Sequence, residues 1–275
     1  VTLFKYDDKI KTANVQLIFD GSDGNKASIA AGYSAGIVSG YSQNLLIEKA
    51  ERYGMKTKFS GTITPEVRVW YNPNLTTRNY MLPGVVSLII LIVTTSLTSL
   101  AIVKEREVGT LEQLIVTPVK PYQMILGKFV PFIAIGFISA TIVLTVMRYW
   151  FGIDVRGSIA FLYLCTFIYM LSTLGLGLFV STISKTQQQA MMTSAFGVML
   201  PMLFLSGFIF PIENMPKAVQ YLTTIIPLKY YITIIRGIVL KGIGFAELWQ
   251  DLAILFAIGV IILVLSALRF SKKLE

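Results

Sequence analysis

The segment KEREVGTLEQLIVTPVK, Lys104–Lys120, is a charged island between two long apolar runs. The run before it is Tyr80–Val103, and the run after it is Phe129–Trp150. Each run is long enough for a transmembrane helix, which needs about 20 apolar residues to cross the hydrocarbon core. We therefore predict that both runs span a membrane and that the island is a short loop on one face of it.

Within the island, the spacing of apolar residues predicts an amphipathic helix from Glu105 to Val116. The apolar stripe comprises Val108, Leu111, Leu114 and Ile115, and the polar side comprises Glu105, Gly109, Glu112 and Gln113. This helix is too short to span a bilayer, so it lies along the interface or presents its polar face to another protein. Pro118 would end it, since proline lacks the N–H that continues a helix. An ordinary connector with a solvated polar face would show the same pattern.

The composition is that of a membrane protein. Of 275 residues, 54% are hydrophobic and 14% charged, against about 25% charged in soluble domains. The net charge of +9 does not indicate nucleic-acid binding, because the basic residues flank apolar spans instead of forming one stripe. The chain has no histidine and a single cysteine, Cys165. These counts exclude a disulfide within one chain and a nitrogen–sulfur metal site.

Three more apolar runs follow the first two. These predicted spans are Ser158–Ser181, Ala190–Phe210 and Leu252–Phe270. Gly175 and Gly177 in the first of them allow close helix approach. The serines and threonines between Thr94 and Ser99 would bond either to a neighbouring helix or to carbonyls of their own helix. The sequence leaves these two alternatives open.

The segment Pro211–Phe245 does not fit a simple span. Its apolar pieces are about a dozen residues long, and prolines and charged residues interrupt them. Neither piece can cross a bilayer alone. We predict a re-entrant helical hairpin buried in protein, because irregular backbone at membrane depth must be buried or line a cavity.

Residues 1–79 predict a small α/β domain. Asn14–Phe19 and Glu66–Tyr71 are predicted strands, and Lys26–Tyr53 is a predicted helix. The glycines near position 20 lack the lysine and following Ser or Thr of a phosphate-binding loop. We therefore do not assign a nucleotide site to this domain.

The distribution of charge orients the spans. Lys104–Lys128 carries four basic residues, which favours the cytoplasmic side. If each predicted span crosses the membrane once, residues 1–79 then lie outside the cytoplasm. If Pro211–Phe245 returns to the side it entered from, the tail with Arg269, Lys272 and Lys273 is cytoplasmic, as the positive-inside rule requires.

The island resembles the first cytoplasmic helix of type-2 ABC exporter permeases. The residues that carry the resemblance are Glu105, Glu107, Gly109, Thr110, Leu111, Glu112, Leu114, Thr117, Pro118, Gly127, Lys128 and Pro131. The stretches FDGSDGNKASIA, WYNPNLTTRNYMLPG, FLSGFIFPIENMP and IPLKYYITIIRGIVLKG also resemble that family. These stretches are distributed from Phe19 to Gly242, so the resemblance extends over nearly the whole chain.

The resemblance implies the membrane subunit of an ATP-driven exporter in a bacterial cytoplasmic (inner) membrane. It implies a separate ABC ATPase that carries ATP and Mg²⁺, a second permease copy or paralogue, contact with membrane lipid and, in some systems, a periplasmic adaptor. It also implies an upstream segment with a first transmembrane helix, and we expect that segment to precede Val1. The chain itself has no motif for a cofactor, a metal or a catalytic group. Members of the family export drugs, lipids or polysaccharides, and the sequence does not select among them.

Two groups of candidate site residues follow from the resemblance. The ATPase-coupling residues are Glu105, Arg106, Glu107, Gly109, Thr110, Glu112, Gln113, Thr117 and Pro118. The candidates for the re-entrant segment or gate are Pro211, Pro227, Tyr230, Arg236 and Gly237. Lys229 is expected to extend toward the outer headgroups.

Two other functions are compatible with parts of this pattern. A membrane sensor or scaffold would need the same docking helix but no transport path. An ion-coupled transporter would be expected to show internal repeats or buried acidic residues, and the sequence has neither.

Overall fold

A computed structural model describes residues 4–7, 12–20, 24–53, 65–70, 77–110 and 121–271. The chain forms two compact units, Val1–Tyr80 and Met81–Glu275. The described residues of the second unit are helical apart from short connections.

The first unit contains a three-stranded sheet in the order β1-β2-β3. The strands are β1 (Phe4–Asp7), β2 (Thr12–Asp20) and β3 (Pro65–Trp70), and one helix, α1 (Gly24–Tyr53), lies between β2 and β3 in the chain. β1 pairs with β2 antiparallel, with Phe4 opposite Val15. β3 pairs with β2 parallel, with Pro65 opposite Val15. The sequence did not predict β1, because it is only four residues long.

Among the described residues, five helical segments are long and apolar enough to cross a membrane. They are Arg78–Val108 in α2 (Thr77–Val108), Gly127–Tyr149 in α3 (Pro121–Tyr149), α4 (Ile159–Ile183), Gln187–Leu205, and Phe245–Phe270 in α9 (Phe245–Ser271). The span Gln187–Leu205 consists of α5 (Gln187–Met192), a π-helical segment Thr193–Met199, and α6 (Leu200–Leu205). This confirms an α-helical membrane protein with five candidate spans.

The boundaries of three spans differ from the prediction: two helices are longer and one span is shorter. α2 continues through Lys104 to Val108, and α9 begins at Phe245 instead of Leu252. Lysine, arginine, glutamate and glutamine have helix propensities close to that of leucine, so a helix does not stop where hydrophobicity stops. The predicted span Ala190–Phe210 ends instead at Leu205, because Gly207 has a positive φ of 79°.

The segment after Gly207 contains two helices that meet at a sharp angle. A short 3₁₀ turn, Ile212–Asn214, precedes α7 (Lys217–Thr223). α8 (Pro227–Arg236) continues into a second π-helical segment, Gly237–Lys241. The angle between α7 and α8 with its extension is 79°, which fits either a broken span or a re-entrant loop.

The core of the second unit forms around α8. The side chains of Leu228, Tyr231, Ile234 and Ile235 on this helix are fully buried. α8 packs against α4 and α9, and those two helices share the most extensive helix contact in the chain. α8 also carries Lys229, Arg236 and the exposed Thr233, so it is amphipathic, and its wide apolar face is the part that this position buries.

α2 and α4 lie unusually close together because of Gly177. A Cβ atom on Gly177 would lie 2.7 Å from the backbone oxygen of Thr95, and one on Gly175 would lie 3.0 Å from the backbone nitrogen of Leu263. The prediction that these glycines permit close helix approach is confirmed. Gly177 faces α2, and Gly175 faces α9.

The serines and threonines of α2 use both kinds of partner that the sequence left open. Thr94 donates to the Ile90 carbonyl of its own helix at 2.6 Å and contacts the Thr173 hydroxyl of α4 at 2.7 Å. Ser99 donates to its own helix at Ser96 and lies 3.1 Å from the Ser194 hydroxyl. These hydroxyls therefore join α2 to α4 and to the π-helical segment.

The close approach at Gly177 predicts a specific cost of substitution. Gly177→Ala should destabilise the protein by about 1–3 kcal/mol, since the added methyl group overpacks the contact. Gly127→Ala is the matched control, because a Cβ at Gly127 meets nothing within 4 Å. It should be neutral or stabilising by up to about 1 kcal/mol. Thermal unfolding of both variants in the same detergent tests this, and equal midpoints would contradict the packing described.

Candidate functional site

The predicted coupling helix does not begin at Glu105. Residues 105–108 form the last turn of α2, and the helix ends at Gly109, which has a φ of 82°. The Gly109 amide donates to the Arg106 carbonyl at 3.2 Å, and the Thr110 hydroxyl donates to the Glu105 carbonyl at 3.2 Å. The predicted start of a separate helix at Glu105 is therefore wrong, because Glu105 belongs to α2.

The remainder of the predicted helix lies outside the described residues. The candidate site residues there are Glu112, Gln113, Thr117 and Pro118. It stays a prediction that Glu112 and Gln113 lie on the polar face of a helix and that Pro118 ends that helix. The described site therefore comprises the end of α2 up to Thr110 and the elements that it contacts.

Arg106 joins the end of α2 to the end of α4. Its Nη1 atom donates to the carbonyl oxygens of Ser181 and Ser184, each at 3.0 Å. The last carbonyls of a helix have no partner within it and carry the negative end of the helix dipole. The guanidinium therefore satisfies and neutralises the end of α4.

The two glutamates beside Arg106 bind two further helices. Glu105 forms an ion pair with Lys128 near the start of α3. A carboxylate oxygen of Glu107 accepts from the backbone nitrogen of Gln187 at 3.3 Å and from its side-chain amide at 2.9 Å. Gln187 is the first residue of α5, where a helix favours a negative charge. One turn of α2 thus contacts α3, α4 and α5.

We call this turn, Glu105–Val108 with its partners, the α2 brace. Both carboxylates thus have partners within the chain, and the role of Glu105 and Glu107 in ATPase coupling stays a prediction. The sequence offered no signal for these partners, because they lie between 23 and 80 residues away along the chain.

The residues predicted for a re-entrant segment or gate lie on α8, on its π-helical extension and before the 3₁₀ turn. Pro227 is buried at the start of α8, and the Tyr230 hydroxyl donates to the Thr224 carbonyl at 2.8 Å. A Cβ on Gly237 would lie 2.7 Å from the Ile243 side chain. Pro211 directly precedes the 3₁₀ turn.

Arg236 and Lys229 have different surroundings. A Cβ on Gly84 in α2 would lie 3.6 Å from Arg236 Nη2 and 2.4 Å from the Phe208 ring, so Arg236 lies beside the first part of α2. The Lys229 ammonium donates to the Thr223 hydroxyl at 3.3 Å and lies 5.5 Å from the centre of the Tyr230 ring. Lys229 is therefore held by α7 and its own helix.

A stacked tyrosine pair fixes α8 to its neighbours, and the sequence did not identify it. The rings of Tyr169 and Tyr231 are parallel, with centroids 4.1 Å apart, and both are fully buried. The Tyr231 hydroxyl lies 2.8 Å from the Thr166 hydroxyl, and the Tyr169 hydroxyl donates to the Ser87 carbonyl at 3.3 Å. The pair joins α2, α4 and α8. A tyrosine in the middle of an apolar run is the signal that could have found it, since its hydroxyl needs a partner.

A groove of about 160 Å³ runs between α2 and the π-helical segment. Its lining residues include Ile92, Thr95 and Ser96 of α2, with Ser194 and Val198 opposite. The lining is mostly apolar with a few hydroxyl groups. Such a surface suits apolar ligands with a small number of hydrogen-bonding groups.

The part of the chain that the structure describes holds no group of three or more His, Cys, Asp or Glu side chains that could bind a metal ion. The contacts at the α2 brace are hydrogen bonds and one ion pair. They connect the end of α2 to α3, α4 and α5.

The chain is similar to a defined family over nearly its whole length. Residues 2–268 match the profile of the family described as "ABC-2 family transporter protein". It is 40% identical over 245 residues to "Probable multidrug ABC transporter permease YbhR" of Escherichia coli (strain K12), covering 89% of this chain and 64% of that protein. It is 32% identical over 259 residues to "Probable multidrug ABC transporter permease YbhS" of the same organism, covering 94% and 65% respectively.

A more distant relative comes from a eukaryote. The chain is 28% identical over 214 residues to "ABC transporter G family member 20" of Dictyostelium discoideum, covering 77% of this chain and 29% of that protein. The chain thus spans less than two thirds of the length of each of these relatives.

The stacked tyrosines predict that α8 is a fixed part of the core. Tyr231→Ala should destabilise the protein by about 3–5 kcal/mol, the range for removing a buried aromatic ring. Tyr221→Ala on α7, whose side chain is 75% exposed, is the control and should change stability by less than about 0.5 kcal/mol. Unfolding of the two variants in detergent tests this. A Tyr231→Ala protein as stable as wild type would show that α8 is loosely held.

Proposed function

This chain belongs to the ABC-2 family of transporter proteins, and on that basis we propose that it is the membrane-spanning permease subunit of an ATP-driven exporter. A separate ATPase subunit docks on the segment after Gly109, and its ATP cycle moves substrate outward. The observation that carries the proposal is the α2 brace. A force applied after Gly109 reaches α3, α4 and α5 through Glu105, Arg106 and Glu107.

The proposed docking segment is Thr110–Pro118. Its predicted polar face, with Glu112 and Gln113, would contact basic groups of the ATPase. The left-handed backbone at Gly109 ends α2 immediately before this segment. Docking and transmission are then performed by neighbouring but different residues.

The α2 brace supports a rigid link between docking and the membrane spans. Charge-assisted hydrogen bonds are the strong ones in proteins, and two of them connect Arg106 to the end of α4. When the ATPase subunits close, the ends of α2, α3, α4 and α5 would move together. Packed helices of this kind switch between discrete arrangements instead of bending continuously.

We place the α2 brace on the cytoplasmic side and residues 1–79 outside the cytoplasm. Lys104, Arg106, Lys120 and Lys128 favour this orientation. The bent pair α7–α8 is then a re-entrant hairpin, since a complete crossing would put the basic tail outside. The protein would lie in a bacterial inner membrane with its C-terminus in the cytoplasm.

We propose that the groove between α2 and the π-helical segment contacts the transported substrate. The apolar lining with hydroxyl groups fits amphipathic or lipid-like compounds. ATP and Mg²⁺ bind the partner ATPase, and a second permease completes the transport path. Membrane lipid surrounds the pair, and a periplasmic adaptor is a further possible partner on the outer side.

Two substitutions separate docking from transmission. Glu112→Arg should abolish capture of the ATPase from membranes that contain both subunits, because it reverses a charge on the proposed docking face. Arg106→Ala should leave capture intact, but the ATP hydrolysis of the complex should fall at least about tenfold, as expected for loss of a charge-assisted hydrogen bond. The measurements are co-purification of the full-length permease with its ATPase and hydrolysis by the complex in lipid nanodiscs.

Glu247→Arg, at the opposite end of the spans, is the matched charge-reversal control and should leave capture and hydrolysis unchanged. Equal capture by wild type and Glu112→Arg would contradict docking at this segment. Normal hydrolysis in the Arg106→Ala complex would contradict transmission through the α2 brace. A wild-type permease that captures no ATPase at all would contradict the proposed function.

A further inference from the structure

The loop between α3 and α4 is bound to the end of the π-helical extension of α8. The backbone nitrogen of Gly157 donates to the Ile238 carbonyl at 3.0 Å, and the backbone nitrogen of Arg156 donates to the Val239 carbonyl at 3.2 Å. The last carbonyls of a helix have no partner within it, and Ile238 and Val239 are fully buried. The loop therefore supplies two hydrogen bonds that the end of this helix needs.

Two glycines allow the loop and the helix end to come this close. A Cβ atom on Gly157 would lie 2.9 Å from the Ile238 carbonyl oxygen. Gly242 ends the extension with a φ of 72°, and a Cβ there would lie 3.3 Å from the Cβ of Arg156. A side chain at position 157 would push the two backbones apart. We call the contact of Arg156 and Gly157 with Ile238, Val239 and Gly242 the α8 junction.

The α8 junction and the α2 brace lie at opposite ends of α4. The loop directly precedes the first residue of α4, Ile159, whereas Arg106 binds carbonyls at the last turn. α4 has 25 residues, which corresponds to a length of about 37 Å. The stacked rings of Tyr169 and Tyr231 attach α8 to α4 at a point between these ends. α8 is therefore bound at two levels, once through α4 itself and once through the loop that leads into it.

We propose that the α8 junction makes α8 move together with α4 during the transport cycle. Movement that begins at the α2 brace then reaches the bent pair α7–α8 through α4, and α8 does not separate from it. Arg156 and Gly157 are positioning residues, since they act through α8. The inference rests on the proposed function, because it needs an ATPase that moves the cytoplasmic end of α4.

A contact of a different kind joins α2 to the span Gln187–Leu205 and provides a comparison. There the hydroxyls of Ser99 and Ser194 lie 3.1 Å apart. This is one bond between two side chains, whereas the α8 junction has two bonds between backbones. Ser194 also belongs to a π-helical segment, and such segments are frequent at functional sites. We therefore expect the Ser99–Ser194 contact to change during the cycle and the α8 junction to stay closed.

Reversible disulfides at the two contacts test the proposal. Cys165 is the only cysteine, so Cys165→Ala gives a cysteine-free, full-length background. One protein carries Arg156→Cys with Gly242→Cys, because the Cβ separation of 3.3 Å at this pair is close to the value of about 3.8 Å in disulfides. The other carries Ser99→Cys with Ser194→Cys. Gly242→Cys alone controls for the strain of a side chain at a left-handed position.

The readout is ATP hydrolysis by the permease–ATPase complex in lipid nanodiscs, measured after oxidation and again after reduction. We expect the disulfide at the α8 junction to form in most of the protein and to leave the rate of hydrolysis unchanged, because the junction stays closed throughout the cycle. The disulfide between positions 99 and 194 should slow hydrolysis several-fold, and reduction should restore the rate.

A glycine pair tests whether close approach of the backbones creates the α8 junction. Gly157→Ala, added to the cysteine pair at 156 and 242, should lower the disulfide yield several-fold, because its methyl group displaces the Ile238 carbonyl. Gly244→Ala is the matched control, since a Cβ there meets no atom closer than 3.9 Å. It should leave the yield unchanged. Equal yields with both alanines would contradict the geometry described.

Three further outcomes would overturn the inference in distinguishable ways. Slow hydrolysis with the α8 junction oxidised, restored by reduction, would show that the junction opens and would leave the proposed function standing. Equal rates for both oxidised proteins would show that hydrolysis is not linked to the spans, which would also reject transmission through the α2 brace. Failure of the wild type to capture an ATPase would reject the proposed function and this inference together.

Discussion

The Arg106 guanidinium satisfies the free carbonyls at the end of α4, and the proposed transmission from the docking segment to the spans depends on this contact. It lies where a long membrane helix meets the segment that would receive a partner. Glu105 and Glu107, on either side of Arg106, extend the same junction to α3 and α5. The charges that marked this region as a loop in the sequence therefore hold helices together.

The same helices are also joined deep in the membrane-spanning part. Gly177 brings α4 against the α2 backbone, and Thr94 and Thr173 connect the two helices through their hydroxyls. The stacked rings of Tyr169 and Tyr231 then fix α8 to α4. This packing makes α2, α4 and α8 a coherent body. The span Gln187–Leu205 is less buried than α2 and α4, as are α3 and α9. Among the described candidate spans it is the one with a π-helical segment, which makes it the better candidate for an element that moves.

The sequence predicted the class of protein, the number of candidate spans and the family. These properties depend on hydrophobic run length and on local motifs, which a sequence states directly. It misplaced the end of α2, since hydropathy falls at Lys104 whereas the helix continues until the left-handed backbone of Gly109. It gave no signal for the partners of Glu105 and Glu107 within the chain, and the coupling role that it predicted for these residues stays a prediction. Their partners Lys128 and Gln187 come close only after folding, so no local pattern could identify them.

One measurement tests most directly whether the α2 brace moves as a unit. Spin labels at Val108 and Lys185, both exposed, report the distance between the ends of α2 and α4 in a Cys165→Ala background. Labels at Val108 in two copies report closure of the transporter. When ATP is trapped on the ATPase, we predict that the distance between copies changes while the distance from Val108 to Lys185 within one copy does not. A change in the distance within one copy would contradict the account, because α2 and α4 would then separate during the cycle.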